Sequence, residues 1–63
     1  MAYNHRLKQA ILDSGYRQNW LAKKAGIEES RLSRVVNGHV EATKEEIREL
    51  ARALGVTQRA IRG

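Results

Sequence analysis

Ser30, Ser33, Arg34 and Asn37 recur at three- and one-residue steps within EESRLSRVVNG. Coiled at about 100° per residue, they fall on one side of a helix and Leu32, Val35 and Val36 on the other. The polar side is short-armed and hydrogen-bonding, with one long cation, Arg34, in its middle. An arginine can fork onto guanine O6 and N7, and a serine can donate or accept at a base edge or a phosphate. That chemistry suits the major groove of duplex DNA. Arg31 lies on one flank, where it either reaches a phosphate or pairs with Glu28 at i, i+3. Glu29 lies on the other. Acidic groups at a helix start complement its macrodipole by roughly 0.3–1 kcal/mol, which is a plain role for both Glu28 and Glu29. Glu29 could instead accept from cytosine N4. Ser33 and Asn37 either contact the DNA backbone or bond back within the helix.

These residues need a scaffold, and the rest of the chain supplies helices for one. The spacing predicts a first helix from Asn4 or His5 to Ser14, with Asn4 as N-cap and Leu7, Ala10 and Ile11 on the buried face. A second covers about Gln18 to Lys24, with Leu21 and Ala25 inward, and a third Glu29 to Val36. The fourth opens on a capping box, Thr43 with Glu46, and continues through Ile47, Leu50, Ala51 and Leu54. A fifth begins at Thr57, with Val56 and Ile61 at hydrophobic-staple spacing. Gly15, Gly26, Gly38 and Gly55 each follow a periodic stretch, where a left-handed cap is wanted. Nothing reads as a strand. The expectation is an all-α, compact five-helix bundle forming one domain over residues 1–63. Between the second and third helices, Ala22, Gly26 and Ile27 provide a small contact, a positive-φ corner and an apolar brace. That joint pattern predicts a helix-turn-helix over residues 18–37.

Charge and composition narrow the function. The chain of 63 residues carries a net charge of +5, which suits a polyanionic partner. It has no cysteine, and His5 and His39 lie far apart without a carboxylate cluster, so no metal site and no cofactor are expected. There is no apolar run of membrane-span length and no apolar signal region, so a cytoplasmic protein without a membrane partner is expected. No Gly-rich phosphate loop or catalytic triad is present, and the chain is too short for a sizeable pocket. The expectation is therefore not an enzyme, with no small-molecule ligand. Lys23 and Lys24 read as solvated, and Glu45, Glu46, Arg48, Glu49 and Arg52 as a mixed solvated face of the fourth helix. Tyr3 and Tyr16 read as edge-of-core residues. Trp20 packs over the first helix or beside Tyr16, or else serves a dimer or partner contact.

The segment QNWLAKKAGIEESRLSRVVNG, followed by IRELARALGV, resembles the Xre-type helix-turn-helix domain of phage repressors and Cro proteins, the lambda-repressor-like family. The resemblance runs from Leu7 to Ile61. It departs in placing Glu28 where serine or threonine usually caps the third helix, and Glu29 where a neutral polar residue is common. It implies that the third helix reads DNA, with Glu29, Ser30 and Arg34 at base-reading positions. It implies phosphate contacts for Gln18, which also buttresses the third helix, and for Asn37. Gly38, His39 and the following loop would lie against the DNA backbone. Arg31 and Ser33 join the phosphate set on the reading of the helix faces. The expected function is a sequence-specific double-stranded DNA-binding regulator, a repressor or Cro-like switch acting as a homodimer on DNA. The alternative is an antitoxin or protein-interaction module of the same fold. Single-stranded nucleic acid is less well served, because one tryptophan and two tyrosines offer little stacking.

Overall fold

The computed structural model describes residues 4–62, so Tyr3 lies outside the described residues. Five helices follow in order: α1 (His5–Ser14), α2 (Gln18–Ala25), α3 (Glu29–Val36), α4 (Lys44–Leu54) and α5 (Gln58–Ile61). The expected starts hold for local reasons. Asn4 Oδ1 accepts from the Leu7 N–H at 3.1 Å and opens α1. Thr43 and Glu46 close a full capping box at α4, and Thr57 Oγ1 accepts from the Ala60 N–H at α5.

The ends are equally local. Gly26 follows α2 at φ 74°, and the Ile27 N–H reaches back to the Ala22 carbonyl at 2.8 Å. Gly38 does the same for α3 at φ 78°, with the His39 N–H bonded to the Arg34 carbonyl at 2.9 Å. Both are Schellman endings, and a side chain at either glycine would strain a left-handed backbone.

Every helix contributes one side chain with no exposed area: Leu7, Leu21, Leu32, Leu50 and Ile61. Burying a side chain of this size stabilises the fold by roughly 1.5–3 kcal/mol. Ala22, nearly fully buried, lets helices approach α2 closely. α2 packs against both α3 and α4, while α1 packs against α5 and touches α3 and α4. The ends of the chain are also tied: Asn4 Nδ2 donates to the Ile61 carbonyl at 3.3 Å. No comparable packing joins α3 directly to α4.

Around α5, Ile61 is fully buried and Val56 is 38% exposed. One expectation about the later helices needs correction. Glu46 is not simply part of a solvated face, because its carboxylate is engaged on two sides, as the next section describes.

Candidate nucleic-acid interface

The α2–α3 corner places α3 with Leu32, Val35 and Val36 pressed into the core. Its opposite side therefore faces outward. Glu29, Ser30, Arg34 and Asn37 are exposed, and Ser33 is half-buried. Arg34 forms no ion pair and no side-chain hydrogen bond among the described residues. Asn37 Nδ2 lies 3.4 Å from Ser33 Oγ, a long bond within the helix that leaves both groups further capacity.

The two helices of the corner share a feature that the other three lack. Arg17 and Glu28, at their N-cap positions, make no side-chain cap bond, whereas Asn4, Thr43 and Thr57 cap α1, α4 and α5. In α2 the Asn19 side chain accepts from the Trp20 N–H at 2.9 Å; the N–H groups of Gln18 and Asn19 and the first ones of α3 are left to water or to an anion, with the positive end of each macrodipole behind them. Gln18 is half-buried at the first position of α2. Past α3, the His39 ring is exposed, but its backbone N–H is spent on Arg34. Gly38 is buried, so the loop surface available to a partner begins at His39.

Arg31 faces a different way. Its Nε donates to Glu46 Oε2 and its Nη2 to Glu46 Oε1, each at 3.0 Å. Nη2 also reaches the Glu41 carbonyl at 3.2 Å. The expected Glu28–Arg31 pair does not form; the partner is fifteen residues along the chain rather than three. Neighbours at i, i+3 can meet, but a forked guanidinium gains more from a carboxylate that accepts both prongs. These hydrogen bonds, together with the charge attraction, hold Arg31 above its usual pKa. The bond from Arg31 holds the Glu46 carboxyl below the ordinary glutamate range, against a desolvation that acts the other way. Glu46 Oε1 simultaneously accepts from the Thr43 N–H at 2.8 Å.

On the far side of α2, Trp20 stacks beside Tyr16, with ring centroids 4.5 Å apart and planes tilted by 37°. Lys24 Nζ sits 5.8 Å from the Trp20 ring centroid. Trp20 thus packs beside Tyr16, yet it remains 44% exposed and Tyr16 42% exposed, more open than an edge-of-core position. No group of three or more His, Cys, Asp or Glu among the described residues is arranged to hold a metal. No helix among them is long and apolar enough to cross a membrane.

A family profile described as a helix-turn-helix domain matches residues 4–62. No curated protein and no solved structure gives a significant match. The matched span takes in all five helices and the α2–α3 corner whose outer face carries Ser30 and Arg34. The chain belongs to the Xre-type helix-turn-helix family of DNA-binding transcriptional regulators.

Proposed function

We propose that the protein binds double-stranded DNA sequence-specifically and acts as a repressor or Cro-like switch. α3 enters the major groove, where Ser30 and Arg34 read base edges and Glu29, at the rim, accepts from a cytosine. Gln18, Ser33, Asn37 and His39 fix the register on phosphates, aided by the open N-termini of α2 and α3. Two copies bind half-sites about one helical turn apart and occlude promoter elements. The protein works in the cytoplasm.

The observation that carries this reading is the outward side of α3. It holds an exposed, unpaired Arg34 among hydroxyl and amide groups, on a helix whose other side is locked in the core. Selection of sites from random duplex DNA, followed by salt titration, tests it. A palindromic motif and a steep fall of log affinity with log salt are expected. No enriched motif at moderate salt would overturn sequence-specific binding.

A second reading has one observation behind it. The exposed Tyr16–Trp20 stack suits a protein partner, as in an antitoxin. Co-purification of a toxin that Trp20→Ala releases, with no DNA motif recovered, is the outcome that favours it.

A further inference from the structure

We propose that the Arg31–Glu46 pair is a positioning device for DNA recognition. It sets α3 and the 37–42 loop against the start of α4, so Arg31 acts through the backbone it braces rather than by touching phosphate. This inference rests on the DNA-binding reading of α3 given above.

The fold leaves a place for such a brace. α3 and α4 each pack on α2, but no packing of that strength joins them to each other. Val40 and Ala42 pack the loop between them against the core, and hydrogen bonds fix its two ends. At its near end, the Schellman bonds of Gly38 and His39 fix the exit from α3. At its far end, Glu46 accepts from the Thr43 N–H. Arg31 connects the two: it forks onto that same carboxylate and takes the Glu41 carbonyl within the loop. One guanidinium thus ties the recognition helix, the loop and the cap of α4 together.

Its surroundings keep it there. A groove of about 350 Å³ beside the pair is lined by Glu28, Glu45, Glu46 and Glu49, and Arg31 is the cation among its lining residues. Glu49 has Arg48 Nε at 3.9 Å, so swinging Arg31 out to a phosphate would strip Glu46 of its cation. Arg34, with no such partner, has no comparable cost to meet.

The two roles separate experimentally. Arg31→Gln, Glu46→Gln and the double variant are titrated against the site selected by the wild type, at several salt concentrations. Glutamine at position 46 can still accept in the capping box, so α4 keeps its start. Thermal melts confirm folding, and Arg31→Lys, which can still pair with Glu46, serves if Arg31→Gln fails to fold. A positioning role predicts that each single variant loses about three- to fivefold in specific affinity. It predicts that the double loses no more than either, with the salt slope unchanged, and that Arg31→Lys, which keeps the charge but not the fork, loses affinity as well. Loss at Glu46→Gln is the informative result, because removing a negative charge should otherwise tighten DNA binding. A salt slope shallower by about one for Arg31→Gln alone, with Glu46→Gln binding more tightly, would identify a phosphate contact and overturn the inference. A wild type that selects no site overturns the DNA reading itself, a result visible before any variant is measured.

Discussion

Arg31 and Arg34 stand less than one turn apart on the same eight-residue helix, and the fold uses them in opposite ways. Arg34 has no carboxylate within ion-pair distance and makes no polar side-chain contact among the described residues. Arg31 is forked onto Glu46 and bonded to the loop. The same residue type at nearly the same height on one helix is a free probe in one case and a brace in the other. The difference lies in what stands opposite: solvent for Arg34, the acidic start of α4 for Arg31. The helix ends repeat the lesson. The N-termini that hold the scaffold are capped by their N-cap side chains, and the two that form the corner have no bond from theirs. Groups that a partner must reach are kept unpaired, and groups that hold the frame are satisfied internally.

The contrast can be tested from its foundation upward. Both arginines depend on Leu32, which is fully buried beneath them. Leu32→Ala is expected to cost about 2–5 kcal/mol in chemical denaturation. In so small a domain that should abolish DNA binding along with the fold. Arg34→Ala should leave the melting temperature unchanged while lowering affinity for the selected site by about 1–3 kcal/mol, with relaxed preference at one base pair. Equal weakening on all sequences would make Arg34 a phosphate contact and remove the distinction in kind.

Acid should act on the brace and spare the probe. The folded Glu46 carboxyl is held below its ordinary value of 4.5, so its contribution is full above that value and is lost as pH falls through the folded one. The melting temperature of the wild type should therefore exceed that of Glu46→Gln near neutrality, and the gap should close as pH falls below the ordinary value of 4.5. A gap independent of pH would mean that the pair contributes nothing through its charge. The smallest effect belongs to Glu28, which has no ion pair and no cap bond. Glu28→Gln should cost about 0.3–1 kcal/mol of stability through the α3 dipole. It should also tighten non-specific DNA binding slightly, as seen in a fluorescence titration with random duplex.

Much of the frame was legible before folding. Asn4, Thr43 and Thr57 announce helix starts because a cap is a contact over three residues. Leu32, Val35 and Val36 announce the inner side of α3, and so its outer side, because periodicity is a property of the helix alone. Ser30, Arg34 and Asn37 could therefore be placed on the exposed face from spacing. The partner of Arg31 could not. Glu28 is near in sequence, and Glu46 becomes near only when α2 brings the ends of α3 and α4 into register.

The sequence by itself determined the five helices, their caps and the side of each that is buried, since those depend on interactions within about one turn. Tertiary structure decided which of two neighbouring arginines is free, and which distant carboxylate the other takes. Those outcomes depend on which surfaces come together across the chain, and no local period encodes that.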